Sequence, residues 1–79
     1  MCRAWQSLSL NDDVEIVQPE EAKEARRNSI KCVSRELHFR QRFFVDNDGS
    51  YVVYEGNTHG WFKLAVDNKQ DAELWVDYT

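Results

Sequence analysis

The stretch LHFRQRFFVDNDGSYVVY, residues 37–54, decides the fold that this sequence predicts. Residues 37–45 alternate with a period of two, which is the spacing of a β-strand whose two faces differ. One face carries Leu37, Phe39, Phe43 and Val45, and the other carries His38, Arg40, Arg42 and Phe44. Residues 46–49, Asp-Asn-Asp-Gly, favour a tight turn, and residues 50–54 supply the returning strand. The stretch therefore predicts an antiparallel β-hairpin.

The residues after the hairpin predict a second turn at 55–60 and a third strand at 61–66. Residues 67–78 fit two interpretations. As a helix, they begin at an Asp67 cap and present one apolar face formed by Ala72, Trp75 and Val76. As a strand, they alternate apolar and polar residues from position 72 onward. The good helix formers among residues 68–74 favour the helix.

Before the hairpin, residues 13–17 predict a short strand, and Pro19 begins a helix that extends to about Glu36. When these residues are placed at helical spacing, four apolar side chains lie on one side of the helix: Ala22, Ile30, Val33 and Leu37. Four basic residues at four-residue steps form a stripe beside it: Lys23, Arg27, Lys31 and Arg35. Asn28 and Ser29 weaken the middle, so two shorter helices, or a helix that gives way to a strand near Ile30, remain open.

These elements predict an α+β fold. One basic amphipathic helix packs on an antiparallel meander of three to five strands, with or without a short C-terminal helix. The 79 residues suffice for one small domain, and residues 1–11 are expected to form an N-terminal arm. Apolar residues make up 42% of the sequence, so the chain has the material for a core.

Charge is distributed unevenly along this acidic chain, whose formal net charge is −4. Residues 23–42 carry seven basic and two acidic side chains, a local net charge of +5. Residues 1–22 have a net charge of −4, and residues 43–79 have a net charge of −5. Such segregation governs the association and steering of partners rather than the fold, and it offers surfaces of both signs.

The sequence gives little ground for catalysis or for a bound metal. Two cysteines and two histidines could ligate zinc, but no pair has the short spacing of structural sites: Cys2, Cys32, His38 and His59. A chain this short has little room for a cleft that orients a nucleophile and a base. We therefore expect a protein that is not an enzyme and holds no metal or cofactor.

Two cysteines are also too few for the disulfide framework of a small secreted module, so both are expected to be reduced thiols. The sequence shows no basic leader followed by an apolar run, and its apolar clusters are far shorter than a membrane span. The expected location is the cytoplasm, with no membrane partner.

Two likenesses imply different structures for the C-terminal residues. GWFKL at 60–64 followed by LWV at 74–76 resembles the final hairpin of bacterial SH3-type barrels, which implies a strand at 74–76. Three strands followed by DAELWV at 71–76 resemble the sheet-plus-helix layout of the arm-binding domains of phage integrases, which implies a helix there.

The charge pattern and the aromatic content favour protein recognition. Carboxylates beside Trp and Tyr anchors are typical of interface hot spots, and they could occupy a basic groove of a partner. The predicted partner-binding residues are Asp46, Asp48, Tyr54, Glu55, His59 and Trp61. The chain is similar in size and charge to small acidic inhibitors of phages and toxin–immunity systems, anti-CRISPR proteins among them. The expected function is non-catalytic inhibition or regulation of a larger nucleic-acid-handling complex, as in evasion of an antiviral defence.

Two alternatives remain open. A nucleic-acid-binding module would use the basic segment, with phosphate contacts from Lys23, Arg27, Lys31, Arg35, Arg40 and Arg42. The sequence pI of about 5.0 has the wrong sign for a dedicated nucleic-acid binder. A structural accessory subunit is the other alternative. The partner's identity and the oligomeric state are not determined by the sequence.

Overall fold

The computed structural model describes residues 14–35 and 39–77. In chain order the elements are β1 (Glu15–Val17), α1 (Pro19–Arg27), β2 (Lys31–Arg35), β3 (Arg40–Asn47), β4 (Ser50–Asn57), β5 (Gly60–Val66) and α2 (Lys69–Asp77). The strands form one antiparallel sheet in the order β1-β5-β4-β3-β2. An antiparallel sheet with two helices confirms the α+β class.

The predicted hairpin is confirmed as β3 and β4. Asn47 pairs with Ser50, so the loop between the strands is only Asp48 and Gly49. Both loop residues have positive φ, 49° and 102°, as a type I′ turn requires. The Asp46 carboxylate accepts a hydrogen bond from the Asp48 N–H at 3.0 Å, which holds the turn.

The second turn is shorter than predicted. Asn57 pairs with Gly60, so only Thr58 and His59 lie in the loop, and β4 continues through Asn57. The prediction of a turn over residues 55–60 is therefore wrong for its first three residues and for Gly60, which begins β5. This places Glu55 inside a central strand, where it is fully buried.

A helix covers each face of the sheet. Alternate residues of the strands therefore belong to two different cores. On one face, α1 packs on the sheet in a cluster of Val17, Ala22, Phe43 and Tyr54. On the other face, α2 packs in a cluster of Phe44, Val53, Phe62, Ala72, Trp75 and Val76. Consecutive residues such as Phe43 and Phe44 are therefore both buried, which explains the continuous apolar runs of β3 and β4.

Helix α1 ends at Arg27, so the predicted extension to Glu36 is wrong. The backbone N–H of Asn28 donates to the Ala25 carbonyl oxygen at 3.0 Å, and that of Ser29 donates to Arg26 at 3.1 Å, which closes the last turn. The N–H of Ile30 then donates to Phe44 at 2.9 Å, and the chain continues as β2. The alternative of a helix that gives way to a strand near Ile30 is confirmed.

The basic character predicted for the helix is not confirmed. Helix α1 contains three acidic and three basic side chains. Lys31 and Arg35 lie on β2 and not on a helix, so the stripe of four basic residues does not exist. The four-residue spacing of these side chains favours a helix, but residues 31–35 instead pair with β3 as a strand.

Residues 69–77 form a helix, as the capping pattern favoured, but the cap is Asn68 and not Asp67. The Asn68 side-chain oxygen accepts from the Asp71 N–H at 2.8 Å, and its amide nitrogen lies 3.3 Å from the Asp71 carboxylate. The predicted face of Ala72, Trp75 and Val76 is buried. The strand that an SH3-type barrel implies at residues 74–76 is therefore wrong.

Several predictions lie outside the described residues. These are the N-terminal arm of residues 1–11, the placement of Leu37 and His38, and the positions of Asp13, Cys2 and Tyr78. Neither of the two helices in the described part of the chain is long and apolar enough to cross a membrane.

We expect stability to fall as the pH rises above about 9, because three groups among the described residues have raised pKa values in the folded chain. Burial raises the pKa of Cys32 from its ordinary 9.0 and that of Tyr54 from 10.0. A hydrogen bond to Glu21 raises the pKa of Lys63 from 10.5. In this range the folded state holds more protons than the unfolded state, so the free energy of unfolding declines with pH.

Urea denaturation at a series of pH values from neutral to alkaline tests this expectation. The Tyr54→Phe variant, which removes one of the three groups, should show a shallower decline than the unsubstituted chain. A free energy of unfolding that stays level or rises over this range would contradict it.

Candidate functional site

Because neighbouring strands are antiparallel, the turns that connect them lie at two opposite ends of the sheet. The β3–β4 turn (residues 46–50) and the β5–α2 connection (residues 67–71) lie at the same end, because Tyr51 pairs with Val66. We call these ten residues the acidic end. It carries four exposed carboxylates and one cation, Lys69. The carboxylates are those of Asp46, Asp48, Asp67 and Asp71.

The carboxylates of the acidic end differ from most others in the described part of the chain. None of the four is in an ion pair with a described lysine or arginine, whereas five other carboxylates are. The pairs are Arg27–Glu24 at 3.2 Å, Lys31–Asp77 at 2.8 Å, Arg42–Glu55 at 3.1 Å, Lys63–Glu21 at 2.9 Å and Lys63–Glu15 at 4.0 Å. Within the described residues, folding therefore neutralises part of the charge along the sequence and leaves the four carboxylates of the acidic end without an ion pair.

The structure does not bring the six predicted partner-binding residues onto one surface. Asp46 and Asp48 lie at the acidic end, and His59 lies in the β4–β5 turn at the opposite end. Tyr54 is buried under α1, and Glu55 is buried on the other face of the sheet. Trp61 is half-buried on the α1 face.

Asp67 and Asp71 neighbour the hairpin turn but are not among the six predicted partner-binding residues. Their proximity follows from β5 returning beside β4, which brings the end of β5 next to the beginning of β4. The predicted three-strand meander already implies this proximity, because two successive hairpins return the chain to the same end of a sheet.

The six predicted nucleic-acid-binding residues are also dispersed. Lys23 and Arg27 lie on α1, and Arg27 pairs with Glu24. Lys31 donates to Asp77. Arg42 is buried. The remaining two, Arg35 and Arg40, are brought together as directly opposed residues of β2 and β3.

Arg42 and Glu55 form a buried ion pair at the centre of the sheet. Their side chains are 2% and 0% exposed, and Nε of Arg42 lies 3.1 Å from Oε1 of Glu55. Asn57 donates to the other carboxylate oxygen at 2.7 Å. Arg42 also donates to the Trp75 carbonyl oxygen at 2.8 Å, and its guanidinium lies 4.1 Å from the centroid of the Trp75 ring. The network therefore ties β3 and β4 to α2.

Burial lowers the pKa of Arg42 below its usual range, and Glu55 partly offsets this effect. The neighbouring charges of Arg40 and Arg35 lower the pKa further. Three arginines of β2 and β3 therefore lie close together on one face of the sheet.

A cleft lies at the end of the sheet opposite the acidic end. Its volume is about 780 Å³, within the range of ligand pockets. We call it the arginine cleft; its lining residues are Ser34, Arg35, Phe39, Arg40, Gln41, Gly56, Asn57 and Trp61. None of these described lining residues carries a carboxylate.

Two aromatic side chains form the apolar part of the cleft. The Trp61 ring lies directly over Gly56, where an added Cβ would come within 2.7 Å of the indole carbons. Only glycine allows this close approach. Phe39 lies at the cleft rim, where it is 73% exposed, and its φ of 50° is unusual for a bulky residue.

Gln41 connects the cleft to α1. Its side-chain oxygen accepts from Nη1 of Arg26 at 3.0 Å, and its amide donates to Oγ of Ser34 at 2.9 Å. Gln41, Ser34 and Asn57 are not among the residues that the sequence predicts for a site. No local pattern marks them, because they meet only when β2, β3 and β4 pair.

Within the described residues, no group of three or more His, Cys, Asp and Glu side chains is placed to hold a metal ion. Cys32 is exposed and forms no disulfide. We assign no catalytic group. Comparison with family models, curated proteins and solved structures gives no match for this chain.

Proposed function

We propose that the protein acts by binding, and that its acidic end occupies a basic groove of a larger protein or nucleoprotein complex that handles nucleic acid. Its role is that of a cytoplasmic inhibitor or regulator of the kind that phages and mobile elements carry, such as an anti-CRISPR. The observation that supports this function is the exposed, unneutralised set of four carboxylates on two adjacent connections.

The carboxylates are held by local structure, which favours binding. Asp48 lies in the two-residue hairpin turn, and the Asp46 carboxylate at the end of β3 accepts from its N–H. Asp71 is fixed in the Asn68 cap of α2. A group that is already ordered loses less conformational entropy when it binds. Carboxylates in fixed positions can therefore compete with phosphate groups for lysine and arginine side chains of a partner.

Neutralising the acidic end should remove partner binding. In the variant D46N/D48N/D67N/D71N, asparagine preserves the turn and cap hydrogen bonds while it removes four negative charges. The matched control is E20K/E73K, which has the same net charge but leaves the acidic end unchanged. Quantitative affinity purification from the native host compares the two variants with the unsubstituted chain.

We expect the four-asparagine variant to recover its partner about tenfold less efficiently, and we expect the control to recover it normally. Recovery by the unsubstituted chain should also decline steeply with salt. Equal recovery by all three proteins would refute the acidic end as the binding surface. Stoichiometric co-purification without any loss of the partner's activity would support the structural accessory subunit instead of the inhibitor.

A further inference from the structure

The arginine cleft has a floor on the α1 face of the sheet. Phe43 and Tyr54 are cross-strand partners that pack against α1, and the next row of partners on that face lines the cleft. The row consists of Ser34, Gln41, Gly56 and Trp61. Because side chains alternate along a strand, those of Arg35 and Arg40 point to the α2 face and do not belong to this floor.

Two accessible aromatic rings border the row. Gly56 pairs with both Trp61 and Gln41, and the Trp61 ring lies on Gly56, so this ring extends from β5 toward β3. Phe39 adds a second ring at the rim, where it is 73% exposed. Its φ of 50° is a strained conformation for a bulky residue, and such strain is concentrated at ligand sites. The two rings therefore indicate a site for a planar apolar group.

Arg26 brings a positive charge to the same face of the sheet. Its Nη1 donates to the side-chain oxygen of Gln41 at 3.0 Å, and the Gln41 amide donates to Ser34 at 2.9 Å, so the guanidinium is held at the middle of the row. No carboxylate among the described residues forms an ion pair with Arg26, whereas the adjacent Arg27 pairs with Glu24 at 3.2 Å. The remaining N–H donors of the Arg26 guanidinium can bind a carboxylate with two parallel hydrogen bonds.

We propose that the arginine cleft binds a small planar aromatic carboxylate, with its ring against Trp61 and Phe39 and its carboxylate at Arg26. The cleft volume of about 780 Å³ accommodates such a ligand. One uncompensated guanidinium matches one ligand charge, whereas the formal net charge of −4 opposes a long polyanion. The proposal is independent of the function proposed for the acidic end, which lies at the opposite end of the sheet.

Titration of the ¹⁵N-labelled full chain with naphthoate tests the proposal. The indole N–H signal of Trp61 should shift, and that of the buried Trp75 should stay in place. Naphthamide retains the ring without the charge, and acetate retains the charge without the ring. Each should bind at least about tenfold more weakly than naphthoate, because each keeps only half of the contacts.

Matched variants locate the two halves of the site. R26Q should lower the affinity for naphthoate by about tenfold, and R27Q, with the same loss of charge in the same turn of α1, should leave it unchanged. F39A, which removes an exposed ring, should lower the affinity severalfold. L74A removes an exposed apolar side chain from α2 and should have no effect on binding.

Four results would overturn the proposal. The first is the absence of any shift at millimolar naphthoate. The second is an equal effect of R26Q and R27Q, which would indicate attraction by net charge alone. The third is equal affinity for naphthamide and naphthoate, which would leave Arg26 without a role. The fourth is tighter binding of a peptide that ends in naphthylalanine than of naphthoate, which would identify the cleft as a docking site for a partner chain.

Discussion

Replacing Glu55 with alanine is expected to lower the free energy of unfolding by about 3–5 kcal/mol, because Arg42 would remain buried without its counter-ion. Glu55 is 0% exposed, and its two oxygens bind Arg42 and Asn57. Small domains have total stabilities of only about 5–15 kcal/mol, so this change removes a large fraction of the total. Urea denaturation followed by far-ultraviolet circular dichroism measures the loss.

The Lys31–Asp77 pair provides the control, since both side chains are partly exposed. Asp77→Ala should cost no more than about 1 kcal/mol. If Glu55→Ala does not fold, the double variant R42M/E55L should fold, because apolar residues of similar volume can replace a buried ion pair. A loss below about 1 kcal/mol for Glu55→Ala, equal to that of the exposed pair, would contradict the role assigned to the network.

The second large effect is expected for Trp75→Ala, which should destabilise the fold by about 3–5 kcal/mol. Trp75 is 1% exposed in the core under α2, and its ring lies against the Arg42 guanidinium. The substitution therefore leaves a cavity and also removes a cation–π contact.

Leu74, the preceding residue of α2, is a matched control because it is 63% exposed. Leu74→Ala should change the stability by less than about 0.5 kcal/mol. Equal losses for the two variants, measured by urea denaturation, would show that α2 does not pack on the sheet through the Trp75 face.

Local sequence signals predicted the parts of the fold that local chemistry determines. The Asp48-Gly49 turn, the hairpin around it and the apolar face of α2 follow from turn propensity and periodicity. The length of α1 could not be predicted in the same way. The spacing of basic residues continues past Arg27, and it is the pairing of β2 with β3 that turns the chain into a strand.

The residues that form the candidate sites were harder to predict than the length of α1, because tertiary structure brings them together. Glu55 is next to a Gly-Asn pair that favours a turn, yet it lies in a central strand with a buried arginine opposite. The arginine cleft is assembled from four strands and the residue that precedes β3, so no contiguous segment contains it. Asp46 and Asp48 were identified from the sequence, whereas Asp67 and Asp71 joined them through the register of β5.

Four exposed carboxylates lie at one end of the sheet, and Arg35 and Arg40 lie toward the other end. The acidic end and the arginine cleft are the turns and strand termini at these ends, and the buried Arg42–Glu55 pair lies between them. The exposed carboxylates of the acidic end are the basis of the proposed function.

Amide-proton relaxation in the presence of small charged paramagnetic probes measures the separation directly. A cationic nitroxide should enhance relaxation more at residues 46–50 and 67–71, and an anionic nitroxide of equal size should do so around Arg35, Arg40 and Trp61. Similar enhancement by both probes at both ends would contradict the account, because the surface would then carry evenly mixed charge.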